Sequence, residues 1–446
     1  MGPFGHRWRW LPLLIVAVVV TGCAMPASLG TSGSGADRAV TLAEGAEQLR
    51  SFEFTGLPVL VGQPLWRRSY EGSVGAALSP DGQHAAIYGY LPELDGKLGF
   101  VILNREGQEA WRHTYPAQQL AATTVRLFGQ PMTVTAVAHD AAQTGFAYAF
   151  DAQGVRLWER AIDGSSSLVA SDDGERFLLI NHVKGTLELL DRNSRVLTSL
   201  TVTPNVRAQF INDENAVLVH DVDVVRLLAA SGAEIWSHKV GRELTWSVAL
   251  SSDAQSIAVI TAGNDSTAYV FDSKGKLRWS RQLLLGGSNR PLFAADGQTL
   301  YVYDVGGDAG IYALTTATGA LRWRLLLKPP AGTTARIRDF RAGAEGLVFD
   351  YVLAASTAGE AAVTTGDGQE HWLVMADPGA KDVRRLALGR GAALDASLDG
   401  RYALVTKRVR GAQDSTRTDV LLYDLATLRP MPAGDGASAQ DFPPPR

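Results

Sequence analysis

Between Trp246 and Trp279 the apolar residues come in four short runs, each closed by polar turn residues. The stretch reads Trp-Ser-Val-Ala-Leu, a Ser-Ser-Asp-Ala turn, Ser-Ile-Ala-Val-Ile-Thr, a polar tip, Ala-Tyr-Val-Phe-Asp, a Ser-Lys-Gly turn and Leu-Arg-Trp. Short runs rich in β-branched and aromatic residues, separated by Gly and Asp, are strand and hairpin signals. Versions of the stretch recur from residue 57 to residue 429. Four strands repeated about every 40–45 residues predict a β-propeller.

Two turn signatures alternate. One is a Gly four residues before a Trp: Gly62/Trp66, Gly107/Trp111, Gly154/Trp158, Gly232/Trp236, Gly275/Trp279 and Gly319/Trp323. The Trp intervals are 45, 47, 78, 43 and 44 residues. The long interval hides a degenerate copy that begins at Asp191 and has lost its Trp. Gly368/Trp372 has the same spacing but falls out of register, because another turn, from Asp377 to Ala380, follows it. An exposed turn uses Gly where φ is positive, and the aromatic on the next strand supplies packing area. The other signature is Asp-Gly, at Asp81, Asp173, Asp296 and Asp399, with weaker versions at Asp213 and Asp253. Each lies between apolar runs, as hairpin turns do.

Each unit is therefore strand A, Asp-Gly turn, strand B, a variable loop, strand C, Gly turn and strand D. Units ending near Trp111, Trp158, Thr198, Trp236, Trp279, Trp323, Arg384 and Leu428 make eight. The irregularity of units two and seven leaves seven open. The last unit runs out before a clear strand D, and the early segment 57–70 has a strand D without a blade, so it is expected to close the ring. The fold class is all-β, a propeller of four-stranded antiparallel blades.

At these residues the chain resembles known families. The Gly-x-x-x-Trp turns, preceded by Asp151 and Asp272, resemble the quinoprotein (PQQ-like) propeller repeat. The Ser-Pro-Asp-Gly type turns resemble WD40-like and TolB-like repeats. The resemblance implies that the six Trp dock against neighbouring blades and are structural. The vicinal cysteine pair of quinoprotein dehydrogenases is missing, and their calcium ligands and catalytic Asp find no match, so no quinone cofactor is implied.

Residues 1–22 read as a secretory leader, with Arg7 and Arg9 before an apolar run from Leu11 to Val20 that is too short to span a bilayer. It ends in Val-Thr-Gly before Cys23, the only cysteine. This resembles the lipobox of bacterial lipoproteins and implies lipidation of Cys23, with two or more acyl chains giving stable anchoring. Ala24 in the next position implies the outer membrane, by analogy with enteric bacteria. Residues 23–40 read as a flexible tether, 41–429 as the propeller and 430–446 as a disordered tail. Lipobox and propeller together resemble the propeller lipoproteins of the outer-membrane β-barrel assembly machinery.

Charge narrows the function. The net charge is −4, and −6 without the leader, which offers nucleic acid no basic footprint. One cysteine excludes a cysteine-cage metal site. The eight His form no metal-binding pair by spacing, although His84, His139, His182 and His220 fall near B strands that approach the channel. The runs 304–308 and 264–266 lack the ligand count of a calcium loop. No nucleophile elbow or phosphate loop is present, so no catalytic, cofactor or metal residue is assigned.

Variable insertions fall between strands B and C, at residues 91–97, 262–266, 305–310, 356–370 and 410–416. Function rides on such loops over a rigid scaffold. Lys407, Arg408 and Arg410 beside the last of them are candidates for an acidic partner. The leading expectation is a monomeric, lipid-anchored scaffold or assembly factor on the periplasmic side of the outer membrane or the extracytoplasmic face, meeting an envelope protein. The alternative is a binding module or enzyme for a small ligand, such as a sugar or quinone, in the central channel. That would need polar residues converging from inner strands, and Arg126, Arg207 and Arg338 are candidates.

Overall fold

The computed structural model describes residues 40–41 and 48–431, apart from 117–119, 143, 164, 212–215, 222–223, 240–244, 254, 262–265, 284–288, 305–309, 344–345, 356–368 and 411–415. The leader, Cys23, nearly all of the tether and the tail, and most of four of the five B–C insertions lie outside the described residues.

Four strands precede the first blade: β1 (Val40–Thr41), β2 (Leu49–Glu53), β3 (Leu60–Val61) and β4 (Trp66–Glu71). Blade 1 is β5 (Gly75–Leu78), β6 (His84–Leu91), β7 (Lys97–Asn104) and β8 (Glu109–Thr114). Blade 2 is β9 (Ala122–Phe128), β10 (Thr133–His139), β11 (Thr144–Phe150) and β12 (Arg156–Asp163). Blade 3 is β13 (Ser166–Ala170), β14 (Arg176–Asn181), β15 (Thr186–Asp191) and β16 (Val196–Thr201). Blade 4 is β17 (Arg207–Ile211), β18 (Ala216–Asp221), β19 (Val224–Leu228) and β20 (Glu234–Lys239). Blade 5 is β21 (Thr245–Leu250), β22 (Ser256–Thr261), β23 (Thr267–Asp272) and β24 (Leu277–Gln282). Blade 6 is β25 (Asn289–Phe293), β26 (Thr299–Asp304), β27 (Gly310–Thr315) and β28 (Leu321–Lys328). Blade 7 is β29 (Thr333–Gly343), β30 (Gly346–Ala355), β31 (Glu370–Ala376) and β32 (Val383–Arg390). Blade 8 takes β33 (Ala392–Ala396), β34 (Tyr402–Arg410) and β35 (Thr416–Asp424) from the C-terminal end, and β4 as its strand D. A last short strand, β36 (Arg429–Pro430), pairs with β3. The blade count is eight.

Burial explains the ring. Strands B and C are buried nearly throughout, whereas strands D such as β8, β16 and β20 alternate exposed and half-buried residues. A blade thus has two apolar faces and must bury both against neighbours. The buried side chains fall into eight clusters, one per junction between adjacent blades.

The hairpins carry their own chemistry. In blade 2 the Asp151 carboxylate accepts from the amides of Gln153 (3.0 Å) and Val155 (2.9 Å). Gly154 follows at φ 82°, and the C–D ladder then shifts register at Phe150. This is a turn closed by a left-handed residue and a bulge, as three-residue hairpins use. Asp191 and Asp272 repeat the pattern. At the A–B turns a serine two residues before the Asp donates to its carboxylate, Ser79 to Asp81, Ser171 to Asp173, Ser251 to Asp253 and Ser397 to Asp399, at 2.5–2.6 Å. Asp253 therefore turns as the Asp-Gly copies do, and the Ser251 hydroxyl and Gln255 amide hold its carboxyl below the usual range.

Residues 40–41 and 48–56, to which sequence patterns assign no elements, lie along the outer rim. β1 pairs in parallel with β24 on blade 5, and β2 in parallel with β28 on blade 6. Phe54 then enters the groove beside blade 7, stacked on Tyr351 at 4.6 Å and edge-on to Trp372 at 5.5 Å, with the Arg385 guanidinium over the rings of Phe54 and Trp372. Val59 bridges to Arg385 before the chain becomes β4.

Ring closure is the seam between β4 and β35. There Asp419, 3% exposed, receives Arg67 at 2.7 Å, Ser69 at 2.6 Å and Arg417 at 3.0 Å. Burial opposes its ionisation, but these hydrogen bonds outweigh that and hold the carboxyl below its usual value. Asp419→Asn is expected to lower stability by about 2–3 kcal/mol in urea unfolding at neutral pH, because it leaves two guanidinium groups without their carboxylate. A depressed carboxyl gives stability that is present above the unfolded value and lost as pH falls through the folded one. The parent should therefore lose more stability on acidification than the variant; equal acid sensitivity would remove Asp419 from the closure argument.

Candidate functional site

The tryptophans are placed by the turns of the next blade. Trp66, Trp111, Trp236 and Trp279 donate Nε1–H to the carbonyls of Arg105 (3.1 Å), Ala152 (3.0 Å), Ser273 (3.1 Å) and Thr316 (2.7 Å). Each ring covers the turn glycine there, Gly107, Gly154, Gly275 and Gly319, where a Cβ would stand 2.6–2.7 Å from ring atoms. In blade 3 Thr198 takes the lost tryptophan's place and covers Gly232. Trp158 and Trp323 are buried at their own junctions, Trp158 edge-on to Phe177 at 5.0 Å and Trp323 5.8 Å from Tyr301. The turn that follows Trp158 carries Ser194 at φ 63° in place of Gly, and among the described residues Trp158 Nε1 has no acceptor. Gly62 departs from the pattern: it lies against Leu428 and in no C–D turn, since β4 is joined to its strand C only in space. Trp372 lies on β31, a strand C, out of register with the six.

The B–C face is less open than the insertions suggest. The described loop, residues 91–97, folds back on the rim. Its Pro92–Leu94 turn buries Leu94, Glu93 pairs with Arg68 at 3.2 Å, and Arg112 donates to the Glu93 carbonyl. Lys407 and Arg408 lie on β34, register partners of Asp419 and Thr418 and so beside the closure seam. The Arg410 side chain lies outside the described residues.

The histidines are separate. His182 bonds Ser167 Oγ (3.1 Å) and the Pro204 carbonyl (2.9 Å), and His139 bonds the Asp140 carbonyl (3.1 Å). His238 packs on Phe271 at 4.7 Å. His113, packed among Phe100, Tyr115 and Phe150, is pushed down to about 4 by burial. His220 is also pushed down to about 4, by burial and then Arg207, and is neutral at pH 7. His371 bonds Asp350 at 2.9 Å, both buried. Among the described residues no three His, Cys, Asp or Glu come together as a metal site.

The inner strands carry the concentrated charge. Arg126 is on β9, Arg207 on β17 and Arg338 on β29, all strands A, as expected. Arg290 on β25, Arg336 and Arg341 on β29, and Asp339 and Asp395 join them. Arg341 reaches Asp395 at 3.4 Å and the Ala396 carbonyl at 3.1 Å across the blade 7–8 junction. Asp339 sits in a bulge of β29 at φ 44°, a conformation rare outside Gly. Its carboxyl is pushed up to about 6, first by burial, then by Asp350, with Arg341 opposing and Asp395 adding. Burial likewise raises Asp350, with His371 opposing. Tyr303 lies in the field of Arg290, Arg341 and Asp339, and Tyr88 in that of Arg126 and Asp395. Sequence patterns point to three of these arginines; the bulge at Asp339 and the pair across the junction have no local signal.

Residues 220–421 match a PQQ-like repeat family model described as outer membrane protein assembly factor BamB. The chain is an eight-bladed β-propeller, and its likeness to PQQ-like repeats is shown over residues 220–421. The propeller is similar to solved structures of dihydro-heme d1 dehydrogenase NirN in complex with DHE (15% identity, 84% of this chain and 74% of that one, TM-score 0.52). It is also similar to the C-terminal WD40 domain of Sif2 (8%, 82% and 99%, TM-score 0.52). BamB from Moraxella catarrhalis aligns at 14% identity over 79% of this chain and 98% of that one, with a TM-score of 0.47. At such identities the likeness is one of fold. No curated protein matches the propeller by sequence.

The turn docking can be tested in both directions. Gly154→Ala adds a Cβ at φ 82° against the Trp111 ring and is expected to cost roughly 1–3 kcal/mol. Ser194→Gly relieves a left-handed serine and is expected to gain about 0.5–1 kcal/mol. Thermal unfolding of the two variants checks both signs.

Proposed function

We propose that this propeller is a lipid-anchored scaffold of the bacterial envelope, tethered through Cys23 on the periplasmic side of the outer membrane, and that it serves the assembly of other envelope proteins. The observation that carries this reading is the unequal rim. On blades 5 and 6 the chain's own N-terminal segment adds strands to the outer edge. On blades 2, 3 and 4 strand D is the last strand of its sheet. Val155 (60% exposed), Val196 (46%), Leu197 (39%) and Ile235 (52%) stand out to solvent there. Open edges with exposed apolar residues invite another strand. The occupant is an extended strand of an envelope protein, pairing with β16 or β20 as β2 pairs with β28. The family description, which names outer-membrane protein assembly, and the lipobox support the location.

A photoreactive residue at Leu197 or Ile235 is expected to capture an envelope protein in cells, and one at Lys328, on the covered rim of blade 6, is not. A lysine on the strand that captures, Leu197→Lys for a probe at Val196 or Ile235→Lys for a probe at Glu234, should abolish that capture while leaving the melting temperature within a degree or two, as surface changes do. Equal capture at all three positions would exclude the open rim. Cys23→Ser should release the protein from membranes; retention there would exclude the anchor.

A further inference from the structure

The eight strands A carry six arginines (Arg126, Arg207, Arg290, Arg336, Arg338 and Arg341), two aspartates (Asp339 and Asp395) and neither Lys nor Glu. That is a surplus of four positive charges on the innermost strands of a chain whose net charge is −4. Each strand A is bonded along one edge to its strand B, and strands A of adjacent blades touch, as β5 and β9, β21 and β25, and β29 and β33 do. Arg126, Arg207 and Arg290 are nevertheless exposed. Asp339 is exposed as well, yet enough protein surrounds it to raise its carboxyl. Exposed side chains on the innermost strands lie on the channel wall or at its mouths.

Blade bridging accounts for Arg341 but not for the set. Among the described residues Arg126, Arg207, Arg290 and Arg338 have no carboxylate within ion-pair distance. Arg336 and Arg338 are near enough that Arg338, after burial, depresses the guanidinium of Arg336. Like charges gathered in a cleft with low-dielectric walls cost stability and focus a field on an oppositely charged ligand. Arg instead of Lys at every basic position favours planar, two-point contact with oxyanions.

We propose that the central channel binds a small, soluble, multivalent oxyanion. Arg207, Arg290 and Arg338 take it near the B–C end, and Arg126 lies toward the other end. The site is independent of the rim and of the scaffold reading. Asp339 sets its pH dependence, among Asp350, Asp395, Arg338, Arg341 and Tyr303. Below about pH 6 the Asp339 carboxyl is neutral and the channel gains one positive charge, so binding of an anion of fixed charge strengthens as pH falls through that value.

The test is titration of the purified full chain with pyrophosphate and with citrate at constant ionic strength, read by calorimetry and thermal unfolding, with chloride as the reference. At least one anion is expected to bind saturably and raise the melting temperature. Arg290→Gln and Arg338→Gln should each weaken binding about tenfold or more, a loss of roughly 1.4 kcal/mol. Arg112→Gln, on the outer strand β8, should bind as the parent does. Asp339→Asn should bind more tightly than the parent at pH 7, and the difference between the two should close as pH falls to about 5, whatever protons the anions themselves take up. Arg290 is exposed, so its variant remains informative should Arg338→Gln unfold. Stabilisation no greater than chloride gives, or equal binding by parent and channel variants, overturns the proposal.

Discussion

No blade of this propeller can stand alone, because each has an apolar face on both sides of its sheet. Burying both faces requires two neighbours for every blade, and only a closed ring supplies them. The eight junction clusters are this constraint made visible. Closure then falls on one seam, where the N-terminal strand β4 completes a blade otherwise built from the C-terminal end. Asp419 binds the two ends of the chain together there, buried and fully engaged.

The repeat works at the same junctions. A left-handed turn glycine in one blade leaves room for the tryptophan of the preceding blade, and the indole N–H finds a carbonyl of that turn. Where the repeat decays, the packing is remade locally: Thr198 covers Gly232, and Ser194 holds the left-handed position at a cost. The tryptophans are thus a structural set, and function has to be sought where the repeat is not uniform.

Two departures from uniformity stand out. The rim is covered by the chain's own N-terminal segment at blades 5 and 6 and left open with exposed apolar residues at blades 2 to 4. The inner strands gather arginine in a chain that is acidic as a whole. Neither follows from the needs of blade packing, since edge strands are normally blunted and surplus like charge destabilises. The first suits a protein partner and the second a small anion, and the two sites are separated by the width of a blade.

The sequence by itself determined the strand periodicity, the turn chemistry and the ring's closure by the segment around Trp66, because all three are written in residues a few positions apart. It also pointed to Arg126, Arg207 and Arg338 on inner strands. It did not fix the blade count beyond seven or eight, since unit two lacks an Asp-Gly turn and unit seven is stretched by its insertion. Only the tertiary structure decided that residues 40–41 and 48–61 lie as added strands and turns on the rim, that Gly62 belongs to no turn, that residues 91–97 fold back, and that Arg341 meets Asp395. The reason is physical. A hairpin is stabilised by contacts between near neighbours in sequence, which leave a local pattern. A strap on a distant blade, or an ion pair across a junction, is set by where the closed ring brings unrelated segments together, and no local pattern records it.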